Sequence, residues 1–404
     1  MKEYPLEGIR IIDFTWAWAG PYANLLLAFL GAEIIKVESM QRLDHTRLRS
    51  LMTGPTMGGP NHSVGFNDLN LNKLSVTLNL TKPKAIEIVK RLVKVADVVT
   101  ENMRPGVMER LGISYEVLRD IKPDIIMLSS SALGGTGPER TYAGYAPTFS
   151  AMSGLTYVSG FPDGAPSTLS GAIDTRVGTT SAFAILAALN YRQRTGRGQF
   201  IDLSSTEAIA CLAGHVLMNY AMNRSVSQRV GNRDESMAPH NCYPCRGEDR
   251  WVTIAISTEE EWQAFCRAID NPAWIRDDKF GNARSRWQNQ NELDRLISEW
   301  TSRHTEYEVT ELLQKVGVAA APTLDGEMVY KDIHSKERDI FVEVQHPEIG
   351  KRIVVAPPWK LSATPARVPH SAPLLGEHNQ YVLGTLLGMS QAEIDALAKE
   401  QVVY

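Results

Sequence analysis

The sequence predicts an α/β fold, with a parallel sheet wrapped by helices in its N-terminal half and a smaller α+β domain after it. Three observations predict it. Gly8–Phe14, Pro21–Leu30 and Ala32–Val37 alternate as strand, helix and strand, within the ~30 residues of a βαβ unit. The alternation continues with helix Lys82–Val95, strand Asp97–Thr100, helix Tyr115–Ile121 and strand Asp124–Ser129. After a long helix at Thr206–Met222 the texture changes to a polar, loop-like stretch and then to shorter elements.

Each element has a local reason. The first strand is a buried run, Gly-Ile-Arg-Ile-Ile-Asp-Phe, and Ala32–Val37 ends in Glu38 in the same way. Ala182–Leu189 is almost entirely small or apolar, so it reads as a helix buried on most faces, with Asp174 ahead of it in the place of a cap. Trp251–Ser257 reads as a strand, followed by helices at Glu259–Ile269, Glu292–Ser302 and Glu306–Val316. Short strands Phe341–Val344 and Ile353–Val355, proline-rich turns and a helix at Gln391–Lys399 complete the chain. The boundaries that follow are 1–224 for the N-terminal part of a large domain and 225–330 for a small domain, with 331–404 as a C-terminal segment of short strands and a final helix.

Composition narrows the function. The chain has 404 residues, 43% hydrophobic and 22% charged, with a formal net charge of -4. That balance gives no nucleic-acid footprint, so any bound anion must be met by local cations. No run approaches the ~18 apolar residues of a membrane span, and the start Met-Lys-Glu-Tyr-Pro-Leu-Glu lacks the apolar core of a signal peptide, which points to a cytoplasmic protein. Cys242 and Cys245 have C-x-x-C spacing, but no second pair completes four zinc ligands; structural cysteines are expected, and no metal.

Parallel sheets bind ligands beyond the carboxyl ends of their strands. The segments to inspect are therefore Thr15–Gly20, Glu38–Arg47, Glu101–Gly106 and Ser130–Gly137. None contains G-x-G-x-x-G, which leaves a nicotinamide dehydrogenase without its phosphate loop. Asn72-Lys73, Asn102-Met103-Arg104, Arg110 and Asp44-His45-Thr46-Arg47 adjoin strand ends and offer the cations and oriented donors that a phosphorylated ligand needs.

The segments Pro5–Phe14 (PLEGIRIIDF), Ala19-Gly20-Pro21, Leu30–Glu38 (LGAEIIKVE), Asp97–Asn102 (DVVTEN), Arg104-Pro105-Gly106, Thr195–Gln199 (TGRGQ) and Pro373–His378 (PLLGEH) span nearly the whole chain. In this order and spacing they resemble the family III CoA-transferases of the CaiB/BaiF group, which include formyl-CoA transferase, and the related α-methylacyl-CoA racemases. The resemblance implies a Rossmann-like large domain made from both ends of the chain, with 331–404 returning to it, and two chains threaded through each other as an interlocked dimer. It implies Asp174 as catalytic nucleophile, and CoA contacts at Ala17, Trp18, Ala19, Leu71, Lys73, Asn102, Met103, Arg104 and Arg110. An arginine common after the second strand is Ser39 here, so Arg42 or Arg47 would meet the nucleotide phosphate, and Ile256–Glu260, in the place of a glycine-rich loop, has no glycine.

No permanently bound cofactor is implied; CoA and acyl-CoA are substrates, and the partners are carboxylic acids and a second identical or related subunit, with no nucleic acid and no membrane. A carboxylate is already ionised at neutral pH, so it attacks a thioester without a separate base. Trp16, Tyr145 and Arg176 are the substrate candidates, Arg176 as a partner for a substrate carboxylate or else in a structural salt bridge, and the aromatics favour a bulky or aromatic acid such as a benzylsuccinate with succinyl-CoA as donor. Two alternatives stand beside this reading. An acyl-CoA racemase or epimerase needs a second base, and the position where racemases carry histidine is Tyr145. A non-catalytic partner subunit would have no need of Asp174.

Overall fold

The computed structural model describes residues 3–50, 54–55 and 58–404. Its centre is a sheet of six strands: β1 (Arg10–Asp13), β2 (Glu33–Glu38), β3 (Lys73–Thr77), β4 (Val98–Glu101), β5 (Ile126–Ser131) and β6 (Phe200–Ser204). All neighbours are parallel, in the order β3-β2-β1-β4-β5-β6. This is a doubly wound sheet whose direction of winding reverses between β1 and β4.

Alternation along the strands sorts the core into two layers. Ile11, Ile34, Val98, Ile126 and Leu128 face one layer, where they meet α1 (Ala19–Phe29) and α2 (Ser170–Thr195). Ile12, Ile35, Val99 and Met127 face the other, against helix Pro83–Lys94 and helix Gln391–Lys399.

The sequence pattern shows the four inner strands but not the two edges. Lys-Leu-Ser-Val-Thr in β3 and Phe-Ile-Asp-Leu-Ser in β6 mix charge and hydroxyl groups with apolar residues, because each has a sheet neighbour on one side only. At β3 the open edge is closed by side chains. Ser75 N donates to His378 Nδ1 at 3.2 Å and Thr77 N to Asn379 Oδ1 at 2.9 Å.

Helix α2 departs from expectation. It runs for 26 residues from Ser170, so Asp174 is its fifth residue and not its cap, a place taken by Leu169 at φ 48°. The expected helix Thr206–Met222 is three pieces, Ser205–Ala210, a 3-10 turn at Cys211–Ala213 and Gly214–Asn223. Helices α1 and α2 approach closely because Gly178 has no side chain: a Cβ there would lie 2.6 Å from the Ala19 carbonyl oxygen.

The chain forms two compact units. One comprises the chain up to Thr156, Thr168–Val226 and His334–Tyr404; the other comprises Tyr157–Ser167 and Ser227–Ile333. The second has its own antiparallel sheet of His240–Pro244, Trp251–Ala255 and Ala319–Pro322, with a core around Val252, Trp262, Phe265 and Leu313. Cys242 and Cys245 are both free, and their three-residue spacing along an extended chain turns them to opposite faces. Burial pushes the Cys245 thiol up to about 11. Among the described residues, no helix is long and apolar enough to cross a membrane.

Gly178→Ala should lower stability by about 2 kcal/mol, the scale of an overpacked contact. Gly171→Ala in the same helix, where a Cβ meets nothing within 4 Å, should raise it by about 0.5–1 kcal/mol. Urea titration of the two variants checks the pair, and equal effects would refute the close-approach argument.

Candidate functional site

The site grows from the winding reversal between β1 and β4, where two loops leave the sheet side by side. At the end of β1, Asp13 Oδ1 accepts from Thr15 N at 2.8 Å and Thr15 Oγ1 at 2.5 Å. Lys36, on β2, donates to Thr15 O at 2.7 Å and pairs with Asp44 at 3.4 Å, fully buried. Asp44 Oδ1 then accepts from Ala17 N at 3.3 Å and from Thr46 N at 3.0 Å. From the second loop, Asn102 takes Trp16 N on its Oδ1 and gives its Nδ2 to Trp16 O, both at 2.8 Å. These bonds hold Ala17 at φ 65°, a left-handed backbone that L-residues avoid.

Electrostatics explain why buried charge is tolerated here. Burial opposes the Lys36 ammonium, but Asp13, Asp44 and Glu38 outweigh it and raise its pKa. Burial likewise opposes the Asp44 carboxylate, and Lys36 and Thr46 outweigh it and lower its pKa. Neighbouring Glu101 is pushed up to about 7 by burial, although its Oε2 accepts from Met103 N at 2.6 Å and so shapes the Asn102–Gly106 loop.

Two cations expected to meet phosphate are enclosed instead. Arg47 is fully buried, donating to both Glu38 oxygens at 2.6 and 2.7 Å and to Asn61 Oδ1 at 3.0 Å, with Phe66 beneath it at 3.5 Å. Lys73 donates to Pro21 O and Asn70 Oδ1, each at 2.9 Å, and burial pushes it down to about 8. Leu71 is buried beside them. Their sequence position beside strand ends is right, but the side chains point into the unit, where they brace the loops.

Of the cations expected to meet CoA, Arg42, Arg104 and Arg110 are exposed. Arg42 lies over the Trp16 ring, 4.8 Å from its centroid, at a small cavity lined by Phe14, Ser39, Leu78, Leu80 and Met103. Leu80 also borders an open cleft of about 440 Å³ that runs past Lys82 and Lys90 to Arg110.

Asp174 comes from the opposite layer. Positions i and i+4 of a helix share a face, so the Gly178 contact with Ala19 turns Asp174 toward the start of α1, where Trp18 and Ala19 are half-buried. Among the described residues its carboxylate has no hydrogen bond or ion pair, and burial pushes it up to about 6. Arg176 is exposed, roughly 200° around the helix from Asp174, and forms no ion pair among the described residues.

Tyr145 is 68% exposed, with its ring edge-on to His45 at 6.2 Å. The position of His45 is fixed by the Asp44 cap, a contact that no spacing rule reveals. The Trp18 indole nitrogen is buried without a partner among the described residues. Ile256–Glu260 leads into a helix closed by a Thr258–Glu261 capping box, the stiff form expected of a segment without glycine.

A profile of CoA-transferase family III matches residues 6–379. The succinyl-CoA–D-citramalate CoA-transferase of Chloroflexus aurantiacus is 32% identical over 402 residues, covering 99% of this chain and 98% of its own. The beta subunit of succinyl-CoA–L-malate CoA-transferase from the same organism is 32% identical over 405 residues, with 99% and 98% covered. The crystal structure of a CAIB/BAIF family protein from Brucella suis superposes with a TM-score of 0.86 at 28% identity, covering 95% of this chain and 100% of that one.

An unpaired, desolvated carboxylate is a liability to the fold. Because Asp174 has a folded pKa of about 6 against an ordinary 3.8, ionising it costs stability that grows as pH rises between those values. Asp174→Asn should therefore stabilise the protein by about 3 kcal/mol at pH 8 and by little at pH 4. Melting curves of both proteins across that range check it, and a gain independent of pH would contradict the buried-carboxylate account.

Proposed function

The chain belongs to CoA-transferase family III, and on that premise we propose that it moves CoA from succinyl-CoA to an organic acid with a bulky or aromatic body, a benzylsuccinate being one such acid. The observation that carries this reading is Asp174, partly buried, without a protein partner, and facing the rigid Trp16–Ala19 loop. With its pKa at about 6 it is ionised at neutral pH, and desolvation strips away water that would blunt its attack.

The reaction balances without an added base. An Asp174 oxygen attacks the thioester carbonyl, the C–S bond breaks, and a mixed anhydride and CoA thiolate result. The thiolate attacks the Asp174 carbonyl carbon, giving an aspartyl-CoA thioester and releasing the donor acid. The acceptor carboxylate then attacks that thioester, forming a second anhydride and freeing the thiolate again. Attack of the thiolate on the acceptor carbonyl yields the new acyl-CoA and restores Asp174.

CoA lies along Ala17, Trp18 and Ala19 and the Asn102–Met103 loop. Its nucleotide end enters the cavity beneath Arg42, and Arg42, Arg104 and Arg110 face its phosphates. Leu71, Arg47 and Lys73 support these loops from below. The aromatic groups Trp16, His45 and Tyr145 favour a bulky acid, while the donor follows the two relatives named for succinyl-CoA. One observation favours an α-proton epimerase instead, the His45 imidazole beside Tyr145.

The assembly is a dimer of interlocked chains, with a second copy or a related subunit. Its support is the exposed apolar surface of α2 and of helix Gly214–Asn223, where Phe183 is 72%, Met218 60% and Met222 73% exposed. One relative is itself named as a subunit.

Incubation with succinyl-CoA and hydroxylamine should convert Asp174 to a hydroxamate, read by mass spectrometry of the peptide that carries it. Asp174→Ala should bind CoA but lose transfer by at least a thousandfold, the scale for a missing nucleophile. An unmodified peptide, with solvent deuterium washed into the α-carbon of the acyl-CoA, would replace the transferase reading by the epimerase. Sedimentation at decreasing concentration should show a dimer that does not dissociate; a concentration-dependent monomer would argue against threaded chains.

A further inference from the structure

The cavity beneath Arg42 has two walls, and one side chain outside it joins them. Ser39 and Arg42 line the first wall, with Gln41 between them; Leu78 and Leu80 line the second, with Asn79 between them. The Tyr404 hydroxyl accepts from Gln41 Nε2 at 2.9 Å and from Asn79 Nδ2 at 3.2 Å. The backbone of Tyr404 is fixed separately. Its carbonyl accepts from Thr77 Oγ1 at 2.8 Å and Asn379 Nδ2 at 2.6 Å, and its N–H donates to Thr77 Oγ1 at 3.2 Å. Asn79 is held as well, because its N–H donates to Val402 O at 2.9 Å and its Oδ1 accepts from Thr81 Oγ1 at 2.7 Å. Gln41 is exposed.

On the reading that this cavity takes the nucleotide end of CoA, we infer that Tyr404 is a positioning residue whose phenol ties the Ser39–Arg42 wall to the fixed Leu78–Leu80 wall. The phenol touches neither the thioester nor Asp174. It limits the movement of the segment that carries Arg42, and with it the stacking of the guanidinium on Trp16. A ligand that reaches the cavity then meets a preformed width instead of ordering one wall as it binds. Its influence is therefore on nucleotide capture, and the chemical step is untouched.

Tyr404→Phe keeps the ring and the backbone anchors and removes only the shared acceptor. The rate of Asp174 hydroxamate formation in hydroxylamine is measured with succinyl-CoA and with succinyl-pantetheine, which lacks the nucleotide. In the variant the second-order rate with succinyl-CoA should fall about fivefold, the effect of one hydrogen bond. The rate at saturating succinyl-CoA, the second-order rate with succinyl-pantetheine and the melting temperature should not change. Gln41→Ala should reproduce the fall, and the double variant should show no further loss, because both changes cut the same link.

An unchanged succinyl-CoA rate, an equal fall with succinyl-pantetheine, or additive losses would each overturn the positioning role. If the wild-type protein forms no hydroxamate, the CoA-transfer reading fails first. In that case calorimetric titration with CoA alone still tests the tie, with about fivefold weaker binding to Tyr404→Phe expected and equal binding refuting it.

Discussion

Everything at the mouth of the sheet depends on one buried ammonium. Lys36 reaches from the second strand under the first loop, where it donates to Thr15 O and neutralises Asp44. A lone cation at that depth would be driven to its neutral form; carboxylates on either side keep it charged. Because Asp44 also caps the segment carrying His45 and takes the amide of Ala17, the loop conformation and the position of that segment are set together. Asn102 completes the arrangement from the fourth strand, so loops from both sides of the winding reversal act as one surface. The two loops thus form one preorganised floor.

The contrast between that floor and Asp174 gives the site its character. Below the loop, acids and bases are paired and bonded. Above it, Asp174 stands without a counter-charge among the described residues, and the exposed guanidinium groups of Arg42 and Arg104 lie on the loops after β2 and β4, with Arg110 on the short helix Val107–Arg110 that follows.

The inner strands were readable from sequence because a strand covered on both faces carries an apolar run that few alternatives explain. Lys73–Thr77 and Phe200–Ser204 were not, since an edge strand is satisfied by whatever lies beside it, and at Ser75 and Thr77 that partner is a side chain some three hundred residues away. The order of motifs singles out Asp174, while its place inside the helix is not legible in them. The apolar run at Ala182 marks where the helix is buried, whereas the helix begins twelve residues earlier, at Ser170, in a mixed polar stretch that carries no such run. Arg47 and Lys73 show the same limit from the other side. Spacing puts a cation next to a strand end, but whether it faces solvent or a buried carboxylate is decided by Glu38 and Asp13, contacts made through the fold.

The edge of β3 has a consequence for how the protein is made. Ser75 emerges from the ribosome 303 residues before His378, the residue that receives its N–H. At synthesis rates of 5–20 residues per second, that strand waits about 15–60 s with its outer amides unpaired. The sheet's first half is therefore an open template during translation, able to pair with another nascent chain. The side chains of His378 and Asn379 close that edge only when the C-terminal segment arrives.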